Sequence, residues 1–210
     1  MLEAFGNAKT VRNGNSSRFG KWTEIQLDAS GFIAASRITS YLLEKSRVAE
    51  HAAGERNYHA FYQLLEDGAP YALERDPRAY PTLTRGDCVE VPAIDDAAEW
   101  ADQIKAFGIL NFSKEDTATA HGIVAAVLHL GRAQFAPDGD GSKCSNAARS
   151  LGPAAPLLGV DEKNLGDALT TRTEQMGRGS LVTIQLTASF AADAADALAK
   201  ALYGRLFDWL

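Results

Sequence analysis

The sequence predicts an α+β fold that is mainly α-helical. Two kinds of pattern carry this: one alternating strand pair early in the chain, and several amphipathic runs at helical spacing with start and stop signals. The composition agrees with a packed globular chain. The chain has 210 residues, 46% of them hydrophobic and 23% charged, which is not the signature of disorder.

Residues 1–20 are rich in Asn, Gly, Ser and Arg and read as a loop. Trp22-Thr23-Glu24-Ile25-Gln26-Leu27 then alternates apolar and polar, the period of a half-buried strand. Asp28-Ala29-Ser30-Gly31 supplies turn chemistry, and Phe32 to Ile38 can run back as the hairpin partner. From Gly54 the period becomes helical, with Tyr58, Phe61, Tyr62 and Leu65 at three- and four-residue spacing. Asp95-Asp96 offer an N-cap to a helix through Trp100, Ile104 and Phe107, with Gly108 as its stop. Ser113-Lys114-Glu115-Asp116 has the capping-box spacing ahead of Ile123, Val124, Val127, Leu128 and Leu130.

Ala136 to Lys143 reads as a surface loop by composition. Short helices follow over Ala154 to Gly159 and Leu165 to Thr171, the first weakened by Pro153 and Pro156. Thr170 to Arg178 is polar, and Val182 to Leu186 alternates as a strand. Phe190 to Leu210 is a long Ala-rich helix. The expected architecture is therefore mostly helical with one or two small β elements.

Composition excludes several classes of function. Lys+Arg number 21 against Asp+Glu 27, a net charge of -6, and no basic stripe argues for a nucleic-acid reader. No apolar run is long enough to cross a membrane, and residues 1–7 have no leader-like pattern. Cys88 and Cys144 are too few for a disulfide framework and fit a reducing compartment. Asp138, Asp140 and Ser142 mimic a calcium loop, but position twelve is Arg149 where a bidentate Glu is needed. His51, His59, His121 and His129 have no Cys or carboxylate at metal-ligand spacing.

One segment concentrates chemistry: Asn13-Gly14-Asn15-Ser16-Ser17-Arg18-Phe19-Gly20-Lys21. Two amides, two adjacent hydroxyls and a guanidinium share a short loop ahead of a strand. Small hydroxyls can complete the shell of Mg²⁺, and amides can donate to phosphate oxygens. The same residues would also make an ordinary polar turn.

The run from Leu2-Glu3-Ala4-Phe5-Gly6-Asn7-Ala8-Lys9-Thr10 to Lys21 resembles the switch I region of the myosin motor. Tyr41-Leu42-Leu43-Glu44-Lys45-Ser46-Arg47-Val48 and Gly54-Glu55-Arg56-Asn57-Tyr58-His59 follow in the family's order. Leu128-His129-Leu130-Gly131, Asp196-Ala197-Leu198-Ala199-Lys200 and Leu206 to Leu210 continue it. The resemblance covers essentially all 210 residues.

The resemblance implies a fragment of a P-loop NTPase motor domain with a β-hairpin after switch I. It assigns residues 1–21 to switch I, 22–40 to a hairpin of the central sheet and 41–210 to the upper, actin-facing subdomain. It implies ATP and Mg²⁺ as cofactors and actin filaments as partner, with a cytoplasmic place on the actin cytoskeleton. Ser16 and Arg18 become the catalytic candidates. Asn13, Asn15, Ser16 and Ser17 become the nucleotide-binding set, with Ser17 on the metal and Arg18 paired to a switch II glutamate. Arg178 and Ser180 fall in an actin-facing loop, where Ser180 has the place of a kinase-modified residue in class-one myosins.

Departures from the family are Gly14 and Arg132 where Asn is common, Ala195 where Arg is usual, and Pro153 and Pro156 in a helical segment. Neither a Gly-x-x-x-x-Gly-Lys-Ser/Thr loop nor an Asp-x-x-Gly-Phe-Glu segment occurs in these residues. The expectation is a middle portion of a motor that, alone, neither hydrolyses ATP nor moves actin, and whose Arg18 has no glutamate to pair with. The alternative is a truncated, non-catalytic module that binds actin or another protein. The hairpin alone leaves unpaired edges, so marginal stability or aggregation is expected.

Overall fold

The computed structural model describes residues 1–176 and 180–210. Its order is α1 (Leu2–Gly6), β1 (Asn7–Ala8), β2 (Ser16–Ser17), β3 (Gly20–Leu27), β4 (Ile33–Tyr41) and α2 (His59–Leu64). Then come α3 (Pro81–Thr84), α4 (Asp96–Ile109), α5 (Lys114–Leu130), β5 (Phe135–Asp138) and β6 (Gly141–Cys144). The chain finishes with α6 (Leu151–Leu157), α7 (Glu162–Thr170), β7 (Thr171–Met176), β8 (Ser180–Gln185) and α8 (Ala188–Trp209). Short 3₁₀ turns link several of these. The class is α+β, with every described strand in a two-stranded antiparallel pair.

α5 organises the core. Its Ser113 capping box with Asp116 is present, and from Ala120 to Leu130 all but Ile123 are buried. A helix apolar on every side has to be surrounded. α2 and α8 cover it on one side, where Val124, Val127 and Leu128 meet Phe61, Leu64 and Leu206 in the main cluster. α6 and α7 cover its end, where Leu130 joins Leu151, Ala154, Leu165 and Leu169 in a smaller one. The C-terminal helix α8 is capped by Thr187 and contributes Tyr203, Leu206 and Phe207 to the main cluster.

The predicted hairpin is present and longer than its pattern, pairing Gly20↔Tyr41 through Leu27↔Ile33. Directly opposed residues share a face, so Ile25, Leu27, Ile33 and Ile38 lie on one side of the hairpin, interspersed with Lys21, Thr23, Ser36 and Ser40. The four apolar residues are more than half exposed, at 58%, 60%, 70% and 53%.

Several elements differ from the sequence expectation. Residues 1–20 are not one loop: α1 and the β1–β2 pair lie within them. α1 has no side-chain cap, and burial of Phe5 against Phe107 gives the single turn its support. Gly108 does not close α4, which runs to Ile109 and stops where Asn111 takes a φ of 59°. The 136–143 segment is a hairpin with its turn at Gly139 (φ 58°); a Gly accepts that left-handed φ without a Cβ clash. The polar 170–178 stretch contains β7, held by six pairings to β8. Small β elements thus exceed the one or two expected. α6 forms despite Pro156 in its interior.

Four buried or half-buried histidines make the fold acid-sensitive. Burial pushes His59 and His121 down to about 4 and lowers His51 and His129. In the unfolded chain each imidazole takes its proton near pH 6.5, but the folded chain resists until lower pH. Unfolding therefore binds protons, and stability falls as pH drops from about 6.5 toward 4. We expect the unfolding free energy from urea titration to decline over that window, by roughly 1.4 kcal/mol per pH unit for each fully uncharged imidazole. A flat profile between pH 7 and 5 would contradict it.

Candidate functional site

The loop between β1 and β2 carries Asn13 and Asn15, Ser16 and Ser17 form β2 itself, and Arg18 lies just beyond. It does not hang free. The strip Gly54–His59, buried from Arg56 onward, backs it along its length: Arg56 N–H donates to Lys9 O at 3.0 Å, Lys9 Nζ donates to Gly54 O, and Ala8 bridges Tyr58. Val11 N–H donates to Glu55 Oε1 at 3.3 Å. At the far end Arg18 N–H donates to Gly6 O at 2.8 Å. Phe19 packs edge-on to Phe207, with centroids 4.9 Å apart, and a Cβ on Gly6 would stand 2.4 Å from the Phe19 ring. That close approach requires glycine at position 6.

Inside the loop the two amides are held by their carbonyl ends. Asn13 Oδ1 accepts from Asn15 N–H at 3.1 Å. Asn15 Oδ1 accepts from Asn7 Nδ2 at 3.0 Å and meets His59 Nε2 at 3.2 Å. With the oxygens occupied, the exposed NH₂ groups are left as donors. Ser17 is exposed and Ser16 half-buried, its Oγ accepting from Arg18 Nη1 at 3.4 Å. Amide donors, two hydroxyls and a guanidinium on one short loop suit an anion better than a cation. Ser17 alone offers one oxygen to a metal, and no group of three or more His, Cys, Asp or Glu suitable for a metal occurs among the described residues.

Arg18 does have a carboxylate partner, contrary to the sequence expectation. Glu44 Oε2 lies 2.6 Å from Arg18 Nε and 2.8 Å from Arg47 Nε, and Arg47 continues to Glu55 at 2.9 Å. Burial pushes the Glu44 carboxyl upward, but hydrogen bonds from Arg18 and Arg47 outweigh it and hold Glu44 below its ordinary range. Hydrogen bonding to Glu44 raises Arg18 in turn. Sequence spacing hid this pair, because Glu44 is 26 residues away and arrives only after β3 and β4 double back.

Ser180 begins β8, exposed, and pairs with Met176 across the hairpin. Arg178 lies outside the described residues. Asn7 and His59, which hold Asn15, and Glu44, which pairs with Arg18, are contacts the sequence did not single out. Their only signal was membership of the motifs flanking the loop.

The sequence model of the myosin head (motor domain) family matches residues 1–210, and the chain belongs to that family. Its relatives include unconventional myosin-Ic of Rattus norvegicus, 45% identical, and unconventional myosin-Ih of Homo sapiens, 43% identical. Each match takes in 100% of this chain but only 20% and 21% of the relative. The chain thus spans about a fifth of the curated relatives it matches, and both are unconventional myosins.

Glu44 should matter to the loop more than a surface carboxylate does. Glu44→Ala removes the shared acceptor of Arg18 and of the nearly buried Arg47, and we expect a loss of about 1–3 kcal/mol in unfolding free energy. Amide exchange at residues 16–18 should accelerate with it. A change within 0.5 kcal/mol, the usual size for surface substitutions, would show that the ladder is incidental.

Proposed function

We propose that this chain is the switch I and upper, actin-facing portion of an ATP-driven, actin-based motor with a P-loop NTPase fold. The observation that carries it is the polarity of the 13–18 loop: carbonyl ends tied inward, N–H and O–H groups outward, Arg18 alongside. Such a surface complements phosphate oxygens. In this reading Asn13 donates to phosphate, Asn15 belongs to the nucleotide-binding set and holds the loop, Ser16 faces the γ-phosphate and the attacking water, and Ser17 gives an oxygen to Mg²⁺. Magnesium, when bound, neutralises charge on the transferred phosphoryl group. Ser16 and Arg18 are the catalytic residues of this proposal.

Arg18 rests on Glu44 here and would transfer to a carboxylate supplied from outside residues 1–210 when the site closes. The loop's ordering by phosphate and release after hydrolysis is a recognised switching mode. The uncovered apolar residues on one side of the β3–β4 hairpin support a portion of a larger sheet over a self-sufficient binding module. An isolated two-stranded hairpin gains too little from its own contacts. In the same reading residues 1–21 are switch I, 22–40 belong to the central sheet and 41–210 face actin, with a cytoplasmic location on the cytoskeleton.

The exposed position of Ser180, at the start of β8 in a hairpin of the actin-facing part, supports a kinase site with Arg178 as its basic determinant. A phosphate there adds about -1.5 to -2 charge. Phosphate incorporation by a basophilic kinase should vanish in Ser180→Ala, and incorporation that persists would remove the site.

Two measurements test the main reading. The gene carrying this segment should encode Gly-x-x-x-x-Gly-Lys-Thr/Ser before it and Asp-x-x-Gly-Phe-Glu after it. The 210-residue chain alone should show no actin-activated ATPase above buffer. Turnover by the chain alone would refute the division of labour.

A further inference from the structure

His59 opens α2 and is 7% exposed, and the nucleotide-facing reading gives it no task. Its Nε2 lies 3.2 Å from Asn15 Oδ1, the same oxygen that takes Asn7 Nδ2 at 3.0 Å. Asn7 is 3% exposed. Two buried side chains from different elements therefore converge on one atom of an otherwise exposed loop residue.

Two hydrogen-bond polarities fit these positions. In the first, Asn7 and His59 donate, Asn15 accepts, and His59 carries its proton on Nε2. In the second every bond reverses: Asn15 donates inward, His59 carries its proton on Nδ1, and Asn15 shows a carbonyl to the outside. Asn7 Oδ1 and His59 Nδ1 are among the buried atoms without a partner in the described residues. The first polarity leaves these two as acceptor lone pairs. The second would leave two buried N–H donors unsatisfied, and orphaned buried donors are rarer than under-used acceptors. The first polarity is favoured.

We propose that His59 is a positioning residue: its Nε2–H, together with the Asn7 amide, locks the Asn15 carboxamide so that its NH₂ faces outward toward an anion. The nucleotide class of that anion rests on the reading above; the lock itself does not. The mechanism needs no conformational change and no charge on the imidazole. It orients one amide of the loop from the core side, as a buried second layer orients groups that meet ligand.

The decisive measurement is the ¹⁵N spectrum of the imidazoles at neutral pH in the labelled longer protein that contains this segment, with His59 assigned by its loss in His59→Gln. The Nε2–H tautomer is expected, and the Nδ1–H tautomer would overturn the lock. Rescue provides a second arm. His59→Leu should speed amide exchange at residues 13–17 about fivefold, the effect of one lost hydrogen bond. His59→Gln, which retains a donor, should stay within about twofold of the parent on the same scale. Equal exchange in both variants would overturn the proposal.

If the Leu variant fails to fold, Asn15→Asp replaces it, since a carboxylate still accepts from Asn7 and His59 but loses its outward donors. In the longer protein that contains this segment, Asn15→Asp should weaken Mg·ATP binding about tenfold or more by placing an anion against phosphate. Unchanged affinity there, alongside an Nε2–H tautomer, would sink the nucleotide-facing reading. The tautomer and the exchange comparison decide the role of His59 whatever that affinity is.

Discussion

Arg56 is fully buried, and its guanidinium meets Asp96 through two nitrogens, at 2.6 Å and 3.3 Å. The Tyr62 ring lies 3.6 Å beneath it. A charge taken out of water must be paired, because its desolvation costs several kcal/mol. The pairing fixes where the strip Gly54–His59 runs, between the cap of α4 and the start of α2. Gly54 takes a φ of 76°, and Asn57 ties the strip to Val48 O and Thr82 O. The candidate loop then leans on this strip through Lys9, Val11 and Asn15.

A second layer of charge controls the other edge of the loop. Arg18, Glu44, Arg47 and Glu55 alternate in sign along one ladder, and Arg47 also donates to Arg56 O at 3.1 Å. The two arrangements meet at Arg56. Tyr58 closes the corner: its OH donates to Glu44 O at 2.8 Å and its ring stacks on Tyr203 of α8. A site whose ends are tied to buried charge is rigid where it is anchored, while its exposed donors remain free to meet a ligand.

Much of the fold was legible because local chemistry agreed with it. Asp95, Ser113 and Thr187 cap α4, α5 and α8; the capping signals ahead of α4 and α5 were read from the sequence, and so was the β3–β4 pairing, although its strands are exposed on both faces where a half-buried strand was expected. What was missed had a weak local signal. α1 is a single turn stabilised by distant aromatics, and β7 is polar because it is exposed on a two-stranded hairpin. β5 contains Pro137, which conceals a strand in a composition reading. Arg132 is nearly buried, pairs with Glu74 and lies over the Tyr80 ring, contacts that the sequence did not suggest.

By itself the sequence determined the family, the major helices, the hairpin and the list of loop residues, since these depend on residue types at short spacing. The tertiary structure decided their orientation. That Arg18 rests on Glu44, that Asn15 is held by Asn7 and His59, and that the hairpin's apolar residues lie uncovered all depend on residues brought together from far along the chain. Hydrogen bonds and ion pairs act over a few ångströms of space, and distance along the sequence does not measure that.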